Sequence, residues 1–149
     1  MLCNLIAYGL NIPSSNAGNR NRITAEISGP GLFENRLEAE NTCWRVSTVR
    51  LFIQRSNDDL VDDSFRWWSN PEAIILKEGE HTMEVPLTPD HWSNVAGKKG
   101  DTLPKQFYAA LENAGNIGMT FGGGCFFGHG VNVSGGHSTF TLKRFAINR

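Results

Sequence analysis

The chain has 149 residues, of which 40% are apolar and 19% charged, and its formal net charge is −1. That length fits one domain, residues 1–149, with a core of its own, and the composition excludes a disordered chain. The near-neutral charge supplies no basic field, so neither nucleic acid nor an anionic membrane surface is an expected partner.

Met1–Tyr8 lacks the basic start and long apolar run of a signal peptide. As written, the chain reads as cytoplasmic; a leader missing from the sequence would make it extracytoplasmic. No stretch approaches the ~20 apolar residues of a bilayer span. Leu5–Leu10 is a short apolar run fit for a first strand, and the Asn- and Ser-rich stretch 11–21 reads as a connection. Ile23–Ile27 alternates apolar and polar residues and predicts a half-buried strand, which Ser28-Gly29-Pro30-Gly31 breaks. Trp44–Arg55 carries the clearest strand pattern. Ser47, Val49, Leu51, Ile53 and Arg55 share one parity, and its three consecutive aliphatics assign that face to the core. Ser56–Asp63 is a polar turn with four aspartates. Phe65–Ser69 is a further strand, stopped by Asn70-Pro71. Ile74–Leu76 is short, and Glu78-Gly79-Glu80 reads as a turn. His81–Leu87 alternates, with Met83, Val85 and Leu87 on one face. Leu103–Asn113 predicts a helix whose apolar face holds Leu103, Phe107, Ala110 and Leu111, with Gly115 as its stop. Ile117–Phe121 and Phe126–Val133 are strand-like. In the last strand the apolar spacing of Phe140, Leu142 and Phe145 slips after Leu142, which predicts a bulge or bend.

Short strands at this spacing, with one late helix, predict an all-β fold: a two-sheet antiparallel sandwich of the jelly-roll kind. The expected core includes Leu51, Ile53, Val85, Leu87, Phe107, Leu111, Ile117 and Phe140. The three cysteines, Cys3, Cys43 and Cys125, show no C-x-x-C spacing. Buried free thiols are expected, with one disulfide left open.

From about Trp44 onward the chain resembles the galactose-binding-like jelly rolls, which include many carbohydrate-binding modules. The carrying segments are Glu78–Leu87, then Trp92, the helix ending near Asn113, Ile117–Gly122 and the closing Thr139–Ile147. The resemblance implies a non-catalytic module that recognises a poly- or oligosaccharide. Such modules commonly close with an Asp-Asn pair and often hold a structural calcium. Phe145-Ala146-Ile147-Asn148 lacks the pair, and no cofactor is expected.

Adjacent Trp67 and Trp68 on one strand must point to opposite faces. One then belongs to the core. The other offers a stacking platform for a sugar ring, unless it too packs beneath a loop. Arg66 and Asn70 lie beside them as hydrogen-bonding groups. Trp92 follows Pro89-Asp90-His91 and is either a second platform or a lid over one end of the sandwich. In Gly122–Gly130 the spacing fits neither a dinucleotide fingerprint nor a phosphate-binding loop. Its glycines leave room for close approach, and Phe127 and His129 join the candidate set. The expected site for a carbohydrate or other small polar ligand is therefore Arg66, Trp67, Trp68, Asn70, Trp92, Phe127 and His129. Asp58, Asp59, Asp62 and Asp63 lack the calcium-loop spacing, and the four histidines lack metal-ligand spacing. No metal site is assigned, and no nucleophile motif marks an enzyme. The alternatives are a protein-interaction or homo-oligomerising β-sandwich, and a small jelly-roll hydrolase or lyase.

Overall fold

The computed structural model describes residues 5–8, 20–35, 46–123 and 127–148. Cys3, Cys43, Cys125 and the 11–19 connection lie outside them. The described residues form strands β1 (Leu5–Tyr8), β2 (Arg20–Ser28), β3 (Leu32–Asn35), β4 (Ser47–Arg55), β5 (Arg66–Ser69), β6 (Ile74–Ile75), β7 (Gly79–Pro86) and β8 (Trp92–Asn94). Helix α1 (Pro104–Glu112) follows, then β9 (Ala114–Gly123), β10 (Val131–Ser134) and β11 (Thr139–Asn148). The larger sheet runs β1-β9-β4-β5-β8, with β6 beside the first half of β4, and the smaller runs β11-β2-β7. All their pairings are antiparallel. The fold is the expected mostly-β sandwich with a single α-helix.

Side-chain alternation places the core. On β4 the residues of one parity, Val49, Leu51 and Ile53, are fully buried. They sit in rows with Phe121, Met119 and Ile117 of β9. The smaller sheet answers with Ile23, Ala25, Ile27, Met83 and Val85. Every residue of the expected core is buried except Phe140, which is half-buried and packs against the same cluster. This cluster is the main favourable term holding the fold, since burying one large aliphatic side chain contributes about 1.5–3 kcal/mol.

The opposite face of the smaller sheet is polar and internally compensated. Glu84 meets both Arg20 and Arg22, Lys143 meets Glu26 and Glu80, and Thr24 meets Thr82. The bulge expected after Leu142 is present. Leu142 pairs with Ala25 and Arg144 with Thr24, so Lys143 is the inserted residue. The insertion returns Phe145 and Ile147 to the core side.

A second pair of strands, β3 and β10, continues the β2–β11 ribbon past a corner. At that corner Gly29, Gly135 and Gly136 have φ of +106°, +72° and +148°, values that glycine adopts without steric cost. Strands that cross between packed sheets need such corners.

Three expectations are corrected. Gly115 does not end the helix: Asn113 is the C-cap and β9 starts at Ala114. Gly115 instead allows close approach to Ser56, whose Oγ and Cα would lie 2.9 and 3.0 Å from a Cβ there. β7 starts at Gly79, inside the expected turn. Of the expected 126–133 strand, residues 131–133 are strand and residues 127–130 form a turn, while Phe126 lies outside the described residues. Among the described residues no helix is long and apolar enough to cross a membrane.

Candidate functional site

The two indoles on β5 do point opposite ways. Trp67 is the inward one and fully buried. Its Nε1–H donates to Ser64 O at 2.7 Å, and its ring meets Phe107 edge-on at 5.4 Å. Trp92 is also fully buried, which corrects the expectation of a loop platform. It opens strand β8, donates from Nε1 to Pro86 O at 2.8 Å, and packs 5.9 Å from Phe107. The physical reason is the helix. The smaller sheet is narrower than the larger one, and α1 lays Phe107, Ala110 and Leu111 against the inner face where Trp67 and Trp92 lie. Trp67 and Trp92 are therefore core residues.

Trp68 is the outward indole and is half-buried. Strand register puts Gly118, Phe52, Trp68 and Ser93 in one row across β9, β4, β5 and β8. Trp68 packs on Phe52 at 5.0 Å. Its Nε1–H donates to Thr120 Oγ1 at 3.0 Å, and the Thr120 hydroxyl donates to Phe127 O at 3.0 Å. That relay ties the ring to the turn after β9. Gly128 in this turn backs onto the indole, since a Cβ there would lie 3.6 Å from Cζ2. Gly130 N–H closes the turn on Phe121 O at 2.7 Å. Phe127 lies under the Arg50 guanidinium, 4.1 Å from centroid to Cζ, and His129 is exposed in the same turn.

Two polar rims flank Trp68. On one, Arg66 is paired with Asp58 at 3.1 Å, and Asp58 is almost wholly buried, with 2% of its side chain exposed. Asp58 also accepts from Gln54 Nε2 and Leu60 N, both at 2.8 Å. It is thus a structural anion rather than part of a calcium loop. Arg66 further donates to Leu60 O at 3.1 Å. Nearby, the hydroxyl and backbone N–H of Ser64 hold the Asp62 carboxyl below the usual carboxylate range.

The other rim is the Asn70-Pro71 turn. Asn70 Nδ2 donates to Ser93 Oγ at 3.1 Å, its backbone N–H donates to His91 O, and its carbonyl accepts from Lys99 Nζ. Arg50 reaches Ser69 O at 2.6 Å and the Pro71 and Glu72 carbonyls at 3.3 Å. Burial pushes its guanidinium down to about 10, against the opposing pull of the Glu72 carboxylate. Glu72 in turn pairs with His91.

Five of the seven expected residues, Arg66, Trp68, Asn70, Phe127 and His129, thus lie on the outer face of the larger sheet or its rim. Trp67 and Trp92 do not. Arg50, Phe52 and Gln54 were missed, although the parity that assigns Leu51 and Ile53 to the core assigns these three to the other side. Thr120 follows by the same rule on β9. Among the described residues no His, Cys, Asp and Glu cluster is arranged to hold a metal ion. No family model, curated protein or solved structure matches this chain.

Proposed function

We propose that the chain is a non-catalytic carbohydrate-binding domain whose ligand stacks on Trp68 at the outer face of the larger sheet. One observation carries the reading. Trp68 is the one member of the three candidate indoles turned out of the core, and Thr120 and Phe52 hold it in a fixed orientation. A fixed aromatic face edged by amide, imidazole and guanidinium groups suits a sugar ring. C–H bonds of the sugar meet the π face, and the polar groups orient its hydroxyls. The contrast between the two sheets supports the location. The exposed face of the smaller sheet is a grid of matched charges, whereas the larger sheet turns Phe52 and Trp68 outward, with Phe127 beside them in the turn after β9. The resemblance to galactose-binding-like jelly rolls points the same way. A glycan array tests the reading. Binding of at least one glycan, lost in Trp68→Ala with the far-UV CD spectrum intact, is the expected result. A blank array, or a hit indifferent to Trp68→Ala, overturns it.

A second reading, docking of a protein partner, has its own observation. Leu60 and Val61 are 65% and 80% exposed at the tip of the β4–β5 loop. Asx bonds from Asp58 to Leu60 N and from Asp59 to Val61 N pin that tip. Paired apolar side chains on a rigid tip suit an apolar pocket on another protein. Sedimentation across a concentration series tests the self-associating form of this reading. A dimer that Val61→Asp dissolves supports it, and a monomer throughout removes it.

A further inference from the structure

We infer that the ligand held at Trp68 is uncharged: a neutral sugar rather than a uronate or a sulfated glycan. The inference rests on the sugar-binding reading and narrows its ligand class.

The charged groups around the ring are held by partners within the chain. Two guanidiniums border Trp68, and both are tied to the chain, although the Nε of each is buried with no hydrogen-bond partner. Arg66 is held by Asp58 and by Leu60 O. Arg50 gives its Nη1 to three carbonyls and lays its plane on Phe127. Lys99 is turned to Asn70 O at 2.5 Å. On the anionic side, Asp58 is buried against Arg66, Gln54 and Leu60 N. Glu72 uses one oxygen on His91, while its Oε2 is buried with no hydrogen-bond partner.

An anionic ligand drawn to either guanidinium would compete with Asp58 for Arg66, or with the Ser69, Pro71 and Glu72 carbonyls for Arg50. Drawing Arg66 away leaves the buried Asp58 carboxylate without its counter-charge, which is among the costlier changes a folded protein can undergo, and drawing Arg50 away strands the Ser69, Pro71 and Glu72 carbonyls. The unpartnered Glu72 oxygen adds repulsion at the same rim. A hydroxyl-bearing ring makes no such demand. It needs the indole face and neutral hydrogen-bonding groups, and Asn70 offers one: its Nδ2 is spent on Ser93 while its Oδ1 can accept from a hydroxyl.

The test uses the intact chain and follows the Trp68 indole N–H by 15N NMR. Neutral oligosaccharides of glucose, galactose, mannose and xylose are titrated in parallel with oligogalacturonate, oligomannuronate and chondroitin sulfate. The expected result is that a neutral oligosaccharide moves the Trp68 signal with an affinity unchanged between low and molar salt. Its acidic counterpart should bind at least about tenfold more weakly. If an acidic glycan moves the Trp68 signal equally well or better and is released by salt, the charge inference falls and the sugar site stands. If nothing in the panel moves the Trp68 signal, both fall.

Discussion

At the scale of single residues, two positions are held against their own preferences. Leu60 has φ +68°, a left-handed conformation that costs a bulky residue about 1–2 kcal/mol. The backbone bonds around it explain why it stays there: its N–H is tied to Asp58 and its carbonyl to Arg66. Because the side chain is largely exposed, little packing is lost on removing it. Leu60→Gly keeps both backbone bonds and relieves the conformation, at the expense of extra unfolded-state entropy. A net gain of about 0.5–1 kcal/mol in a urea melt is expected, and a loss would mean that the Leu60 side chain has a packing partner. Asn21 is the second position. It is fully buried in the row with Val85 and Ile147, and neither its Nδ2 nor its Oδ1 has a partner. A buried polar group left unpaired costs about 1–3 kcal/mol. Asn21→Val, a strand-compatible residue without polar atoms, is expected to raise stability by about 1–2 kcal/mol in the same melt. No gain would show that the amide is satisfied in solution.

At the scale of elements, β11 shows how sequence spacing and edge chemistry meet. It is an edge strand among the described residues, and long edges invite pairing with other chains. Its bulge places a lysine at that edge, tied to Glu26 and Glu80. Deleting Lys143 joins Leu142–Ala25 directly to Arg144–Thr24 in register, so every later side chain keeps its face. The deletion removes only exposed, solvent-screened ion pairs, so the melting transition should survive nearly unchanged. The regularised edge should instead self-associate more than the natural chain, seen in light scattering as a steeper rise of mass with concentration. A deletion variant that folds and associates no more than the natural chain would show that the bulge does not guard the edge. The irregularity was readable because slipped apolar spacing in a strand means a bulge or a bend, and the register makes it a bulge. Trp92 shows the limit. Whether it faces a loop or the core depends on α1 folding back over it, a contact with residues 15 positions later that no local pattern reports. The same limit hid the Gly115 contact with Ser56, which joins β9 to the end of β4.

At the scale of the whole molecule, the sandwich and its core were legible because two-residue alternation assigns faces strand by strand. The candidate site was legible only in part. Alternation predicted that Trp67 and Trp68 must separate, but it could not say which goes inward. That choice depends on register with β4: Trp67 pairs with core-facing Ile53, and Trp68 with outward Phe52. The register gives the two substitutions opposite outcomes. Trp67→Ala removes a ring packed on Phe107 and strands the Ser64 carbonyl that it satisfied. Deleting a buried aromatic of this size costs about 3–5 kcal/mol, a large part of the stability of a domain of this length. Trp68→Ala deletes a half-exposed ring resting on Phe52 and frees Thr120 Oγ1, whose own hydroxyl still bonds Phe127 O. Its cost should be clearly smaller, because part of the ring already meets water and no core side chain loses its packing. Chemical denaturation of the two variants beside the natural chain reads the difference directly, and glycan titration of the same samples reads function. Trp67→Ala should lose stability while binding persists wherever the protein remains folded. Trp68→Ala should lose binding while the fold persists. If Trp68→Ala proves as destabilising as Trp67→Ala, the outer ring is structural, and the larger sheet has no stacking platform to offer a ligand.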